Sequence, residues 1–194
     1  MAIVTATEVT LYTDISVSAG TIIASGIIPI VQERINLITN NYFTTDMYIQ
    51  GNITFNATAK TLVVGSNWED EGFVGGDDIY VYNSFRNDGY KIVQTVLTDT
   101  ITLASSETVY AEPAGRSILV SVVQWPNALK YIAAQLIKYD YDDRPKKAFG
   151  VTSRTLGPFT ESFGQSYSGQ NLTPFGYPQE LIDSLSAYTI ARLN

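Results

Sequence analysis

Neither cysteine nor histidine occurs in the 194 residues of this chain. Without cysteine there are no disulfides, no thiolate metal sites and no thiol nucleophile, and the redox compartment is left open. Without histidine the usual general base near neutral pH is gone, and with it the Ser/His/Asp relay, the Cys/His dyad and the commonest transition-metal ligand. What remains for catalysis is carboxylate or lysine chemistry. Charge is also scarce. Only 16% of residues are charged against 45% hydrophobic, so few Lys and Glu remain to dress the surface of a monomer, and burial by partners is expected. No stretch reaches the roughly 18 apolar residues of a membrane span. The start, MAIVTATEVTLYTD, has no basic segment followed by a sustained apolar run, so a soluble chain without a cleaved leader is expected.

The length suits one domain, or one domain carrying an insertion. Twelve Lys/Arg against nineteen Asp/Glu give a net charge of −7, which opposes general affinity for nucleic acid because a phosphate-binding surface must be basic somewhere. The acidity is concentrated: residues 46–123 hold four Lys/Arg and ten Asp/Glu, whereas 124–194 hold seven and six.

Hydrophobic periodicity divides the chain in the same places. Ile28, Val31, Ile35, Ile38 and Tyr42 recur every three or four residues and predict an amphipathic helix over about 26–42, with Pro29 in its first turn. Val9 to Tyr12 predicts a short strand or helical turn, and Ser18, Gly20, Ser25 and Gly26 are turn and cap types. From Tyr48 the period falls to two. Ile53–Phe55, Thr61–Val64, Asp78–Tyr82, Tyr90–Leu97, Thr100–Leu103 and Ser117–Val122 read as five or six short strands, with a tight turn at Asn87-Asp88-Gly89. Helical spacing returns after Pro126 with Leu129, Ile132, Ala133, Leu136, Ile137 and Asp140 on one face, and again after Tyr177-Pro178 with Leu181, Ile182, Leu185 and Tyr188.

These segments predict an α+β chain: a small helical bundle body, an inserted antiparallel β domain (barrel or sandwich), and an extended arm before the C-terminal helix. Residues 1–45 would open the body, 46–123 form the insertion, and 124–194 complete the body with the arm at 146–176 and the final helix. The arm is too long for an ordinary connection and carries many aromatics among Gly, Ser, Thr and Pro, a composition suited to lying on a neighbouring subunit.

Three constellations carry possible chemistry. The acid-rich stretch Trp68 to Asp78 offers oxygen ligands for Ca²⁺ but lacks the spacing of an EF-hand, and carboxylates beside glycines are commoner as solvated turns. A carboxylate hydrolase would draw on Glu71, Asp77 or Asp78, yet no pattern separates an acid from a base. Arg144, Lys146 and Lys147, with Arg154, form the basic cluster, a candidate contact for DNA or an acidic partner. The simpler reading is a solvated turn paired with Asp140, Asp142 and Asp143. A glycan-binding or adhesion module, with Trp68, Tyr80, Tyr82 and Phe85 as a stacking platform, is the alternative from another functional class.

The run Trp125-Pro126-Asn127-Ala128-Leu129-Lys130, the helix end Lys138-Tyr139-Asp140-Tyr141, the stretch Val151 to Phe163, and Tyr177-Pro178 opening a last helix resemble the head-to-tail connector proteins of tailed bacteriophages, the adaptors that dock beneath the portal. In that family a helix is followed by a Ser-led segment containing Leu-Gly-x-[Phe/Tyr]-x-x-x-[Phe/Tyr] and then by a Pro-led helix, as in Ser153 to Phe163 and Tyr177-Pro178 here. Ile28 to Tyr42 fits its first long helix, and 46–123 departs from its minimal pattern. The resemblance implies a non-enzymatic virion protein without cofactor or metal, located at the neck between head and tail and in the host cytoplasm during assembly. It implies a homo-oligomeric ring, twelve-fold by analogy, between the portal and a stopper or tail-terminator protein, through which double-stranded DNA passes without sequence-specific recognition. Tyr188, Ile190, Arg192, Leu193 and Asn194 are then the candidates for portal docking. Leu156, Phe159, Phe163, Tyr167 and Phe175 are those for arm contacts to a neighbour or the tail side.

Overall fold

The protein was described from a computed structural model, which covers residues 2–15, 17–65, 67–143, 153–156, 159–162 and 173–191. The chain divides into two compact units, one from Tyr42–Trp125 and one made of Ala2–Asn41 with Pro126–Asn194.

The first unit is a single antiparallel sheet of seven strands: β1 (Thr44–Asn52), β2 (Thr54–Asn56), β3 (Thr61–Val63), β4 (Asp78–Tyr82), β5 (Gly89–Val96), β6 (Thr100–Leu103) and β7 (Ser117–Val123), in the spatial order β1-β7-β4-β5-β6-β3-β2. Alternation of side chains fixes the two faces. In β4, Ile79 and Val81 enter a core with Phe55, Leu62, Trp68, Phe73, Val93, Ile101, Leu103, Ile118 and Val120. On the other face Tyr80 and Tyr82 stack with Tyr42 and Tyr90, ring centroids 4.3 to 5.8 Å apart. Burial of each large core side chain removes enough apolar surface to contribute about 1.5–3 kcal/mol. The turn at Asn87-Asp88-Gly89 lies between β4 and β5, and Gly89 has φ 118°, which a side chain there would strain.

Among the described residues the second unit holds five α-helices: α1 (Ala6–Tyr12), α2 (Ala19–Ser25), α3 (Ile27–Thr39), α4 (Asn127–Lys138) and α5 (Gln179–Leu185). Thr5 starts α1 through a capping box, its hydroxyl accepting the Glu8 N–H while the Glu8 carboxylate accepts the Thr5 N–H. Gly26, left-handed at φ 65°, separates α2 from α3, and Asn40, left-handed at φ 50°, ends α3. Helix α3 therefore stops short of Tyr42, the last residue of the apolar spacing that predicts it. Strands β8 (Ser153–Leu156) and β9 (Phe159–Ser162) pair as an antiparallel hairpin with Leu156 opposite Phe159.

The predicted architecture is corrected on two counts. The main body is the open seven-stranded sheet, and the helices do not make a bundle. Three of the five are seven residues long, about 10 Å each, too short to present the repeated turns that bundle packing requires. The β region is neither sandwich nor closed barrel. Among the described residues it has no second facing sheet and no ladder between β1 and β2, which are the two ends of the strand order though separated in the chain by Ile53 alone.

Candidate functional site

Helix α3 and the two chain stretches that border 144–172 meet at one polar node. Arg34, on the face of α3 away from its apolar stripe, donates through Nη1 to Asp140 Oδ2 at 2.5 Å and to the Tyr177 hydroxyl at 2.8 Å. The Tyr177 hydroxyl in turn donates to Asp140 Oδ2 at 2.8 Å. The triangle is closed: each of the three side chains touches the other two. Asp140 lies in the π-helical turn Tyr139–Asp143 that follows α4, and Tyr177 is held between a 3₁₀ turn (Pro174–Gly176) and α5. Aromatic rings wall the node. The Arg34 guanidinium carbon is 5.6 Å from the Phe175 ring centroid and 5.7 Å from that of Tyr177, and the Tyr139 and Tyr177 rings are 5.9 Å apart. The Tyr139 hydroxyl also donates to the Gly176 carbonyl at 3.3 Å.

The electrostatics are structural in character. The Asp140 side chain is 6% exposed and that of Arg34 25%, so the pair is largely removed from water and needs its third partner. Burial pushes the Tyr177 hydroxyl up to about 12, the Arg34 hydrogen bond opposing the shift and Asp140 adding to it. A phenol so hard to ionise is no base at neutral pH. Burial works against the charged Arg34, but Tyr177 and Asp140 outweigh it, so the guanidinium is held more firmly protonated than usual.

The acid-rich stretch is a set of turns. Asn67 Oδ1 accepts the N–H groups of Glu69 and Asp70 at 3.0 and 3.3 Å, Asp77 Oδ2 accepts the Val74 N–H at 2.8 Å, and Glu69, Asp70 and Glu71 are exposed. No group of three acids able to hold a metal ion occurs among the described residues. Asp78 is buried at the start of β4, and that burial raises its carboxyl.

The glycan platform is not assembled as expected. Trp68 lies in the sheet core, edge-on to Phe73 at 5.0 Å, while Tyr80 and Tyr82 are half-buried in the tyrosine stack and only Phe85 stands out in solvent.

Of the predicted docking residues, Tyr188 ends a 3₁₀ turn (Ser186–Tyr188) and its carbonyl accepts from Asn41 Nδ2 at 3.1 Å. The Ile190 backbone is tied to the end of α3, its N–H donating to the Thr39 carbonyl at 2.9 Å and its carbonyl accepting from Asn40 Nδ2 at 3.3 Å, while its side chain is exposed. Arg192, Leu193 and Asn194 lie outside the described residues. In the arm, Leu156 and Phe159 are the strand ends of the β8–β9 hairpin and Phe175 belongs to the node, whereas Phe163 and Tyr167 lie outside the described residues. Arg154 is in β8, and Arg144, Lys146 and Lys147 lie outside. Asp140, read from sequence as a counter-charge for that basic cluster, is bound by Arg34 from far earlier in the chain.

The node itself was missed as a unit. Its signal was Asp140 on the apolar face of the α4 pattern, where a carboxylate needs a specific partner. No family model matches the chain, and no curated protein matches it.

Proposed function

We propose that this chain is a non-catalytic structural protein of a tailed-bacteriophage neck, an adaptor that sits as a ring between the portal and a stopper or tail protein and prolongs the channel for double-stranded DNA. The reading starts from the resemblance carried by Ser153 to Phe163 and Tyr177-Pro178. The observation that supports it most is the Arg34–Asp140–Tyr177 node, which ties together the two stretches of chain bordering 144–172 and so gives a long aromatic segment a fixed base. An arm used to grip a neighbour benefits from such a base, because the ordering cost is borne before binding.

Two further observations fit. The helical unit leaves Leu11, Ile23, Leu37 and Tyr131 exposed, as expected of surfaces that partners cover. The net charge of −7 suits a channel that must release DNA, since a surface that neutralised phosphates would retain it.

The test is to mix the chain with its cognate portal protein and to look for a ring added beneath the portal by negative-stain imaging. Ile190→Asp is the cleaner probe of docking than a truncation after Ala187, because truncation also removes the hydrogen bonds that tie Tyr188 and Ile190 to Asn40, Asn41 and Thr39. Loss of portal binding with an unchanged melting temperature is expected for Ile190→Asp. Full binding by that variant would refute the docking assignment, and no association of the wild-type chain with any portal, capsid or tail component would refute the neck reading.

A further inference from the structure

The sheet unit presents one exposed aromatic on a loop that has no freedom to withdraw it. Phe85 is 76% exposed at the crest of the loop joining β4 to β5. Beneath it, Glu112, itself buried, accepts the Phe85 N–H with both carboxylate oxygens at 3.0 and 3.2 Å and accepts Asn87 Nδ2 at 3.2 Å. Asn87, 1% exposed, also donates to the Tyr110 carbonyl at 3.0 Å and accepts the Tyr110 N–H at 2.8 Å. Asp88 accepts the Ser84 N–H at 2.6 Å, and Ser84 Oγ accepts the Asn87 N–H at 2.7 Å. A loop pinned at this many points would be an extravagant way to expose a phenyl ring to water.

Two arginines lie on aromatic rings at this tip. The Arg116 guanidinium carbon stands 4.4 Å from the Phe85 centroid, with Nη2 donating to Asn83 Oδ1 at 2.8 Å, and that of Arg86 stands 4.2 Å from the Tyr110 centroid. Residues 46–123 contain four Lys/Arg. Lys91 is paired with Glu107 and Lys60 donates to the Ser105 carbonyl, whereas neither Arg86 nor Arg116 has a carboxylate partner among the described residues. The tip thus carries two cation–aromatic pairs, Arg116 with Phe85 and Arg86 with Tyr110, on an otherwise acidic unit, and both aromatic and Arg side chains are enriched at protein–protein interfaces.

The complement lies at the other end of the same strands. Because β4 runs from Asp78 to Tyr82 and β5 returns antiparallel from Gly89 to Val96, the 83–88 loop is at one end and the segment before β4, with the β5–β6 turn, is at the other, about 17 Å away along the strand. There the Trp68 N–H donates to the Thr98 carbonyl at 2.9 Å and Thr98 Oγ1 donates to Glu69 Oε2 at 3.4 Å, which sets the 67–72 turn beside the 97–99 turn. Gly72 lies against Met47, whose Sδ would be 3.1 Å from a β-carbon at that position. Met47, Val74 and Leu97 are exposed at this end, and so are Glu69, Asp70, Glu71 and Asp99 of the same turns, with no Lys or Arg in 67–77 or 97–99.

We infer that the sheet unit associates with a second copy of the chain head to tail, the Phe85 tip of one copy packing on the Met47–Val74–Leu97 patch of the next while Arg86 and Arg116 meet the Glu69–Asp70–Glu71 turn. Apolar and charged groups match in kind at both surfaces, and the two surfaces face away from each other along the strands. Each copy therefore keeps one free half after docking, which propagates the contact and closes into a ring where the rotation allows. The inference deepens the ring reading given above and rests on it for closure.

Charge reversal tests it. The full-length tip variant R86E/R116E and the full-length patch variant E69K/D70K/E71K each replace attraction by repulsion at one half of the contact, and each alone is expected to weaken self-association by at least about 100-fold. Mixed together they restore complementary pairs at both halves. Sedimentation velocity should then show oligomers larger than a dimer for wild type and for the mixture, and monomers for either variant alone. Circular dichroism of each variant separates loss of contact from loss of fold, and F85S serves as a variant that leaves the charges intact. Wild-type chain that stays monomeric up to about 1 mM, stops at a dimer, or ignores both charge reversals overturns the inference. A chain that rings a portal yet is indifferent to the reversals sinks this contact and leaves the neck reading standing; one that self-associates through tip and patch but binds no portal does the opposite.

Discussion

Replacing Tyr177 by Phe removes a single oxygen from the node at the base of 144–172, and the geometry fixes what that costs. The hydroxyl accepts from Arg34 and donates to Asp140, both at 2.8 Å, so two charge-assisted hydrogen bonds vanish together. One buried hydroxyl in such a position is worth about 1.5–3 kcal/mol. Arg34→Met leaves the Asp140 carboxylate, 6% exposed, without its cation. A fully buried pair broken this way loses ~3–5 kcal/mol. With the Arg34 side chain 25% exposed, the expected loss is lower, about 2–3 kcal/mol.

Because all three groups share one node, the double variant should lose about 1–2 kcal/mol less than the sum of the singles. Urea unfolding of wild type, both singles and the double closes the cycle. The pH dependence supplies an independent arm. Burial raises the Tyr177 hydroxyl to about 12, above its ordinary value of 10, so between those values the unfolded chain has released this proton while the folded chain keeps it. Stability must therefore fall as pH rises from 10 to 12, by about 2–3 kcal/mol. Tyr177→Phe abolishes that part of the slope, and the wild-type-minus-variant difference isolates it from Tyr80 and Tyr82, which burial also raises. A coupling energy below about 0.5 kcal/mol, or identical alkaline slopes, would refute the node as a cooperative unit.

Two glycines should respond oppositely to alanine. At Gly75 a β-carbon would sit 2.8 Å from the Gln94 carbonyl oxygen of β5, so Gly75→Ala should destabilise by about 1–3 kcal/mol. At Gly20 in α2 the nearest atom to such a β-carbon is Ser18 Oγ at 3.9 Å, an ordinary contact, so Gly20→Ala should stabilise by about 0.5–1 kcal/mol; thermal melts of both variants check the signs. The Thr5 N–H and hydroxyl, together with Lys130, hold the Glu8 carboxyl below its usual range against the opposing effect of burial. Its contribution is present above the ordinary carboxylate value and is lost as pH falls through the depressed one, a slope that acid titration should find in wild type and not in Glu8→Gln. Thr5→Ala should cost about 1 kcal/mol through the cap alone.

Local patterns were legible where a residue's neighbours in sequence decide its environment. Ile79 and Val81 alternating with Tyr80 and Tyr82 marked β4, and the spacing of Leu129, Ala133, Leu136 and Ile137 marked α4. Strand β1 was not legible, because it is an edge strand in which Ile49 alone is buried, so no alternation shows. The Thr5–Glu8 capping box was present in the sequence, but the β-branched Val9 and Thr10 beside it are compatible with either a strand or a helical turn, and the choice stayed open until the structure showed α1. The strand order, with β7 between β1 and β4, depends on pairings tens of residues apart, and short strands alone do not distinguish an open sheet from a barrel or sandwich.

The two polar centres show a common construction that no single motif announces. Asp140 is fixed by Arg34 and Tyr177, 106 and 37 residues away in sequence, and Glu112 is fixed by Phe85 and Asn87 across a sheet end. In each case a buried carboxylate holds backbone or side chains in place where an apolar group of similar size would cost less desolvation. Stability alone therefore gives a poor account of either. What both achieve is position: one holds the two borders of a long aromatic segment at fixed separation, and the other holds Phe85 out in water. Rigid presentation of an exposed apolar group lowers the ordering cost of a contact made with a partner and leaves the isolated chain no better packed. That pattern suits the assembly role proposed above, and it makes the node and the tip two separate places at which that proposal can be tested.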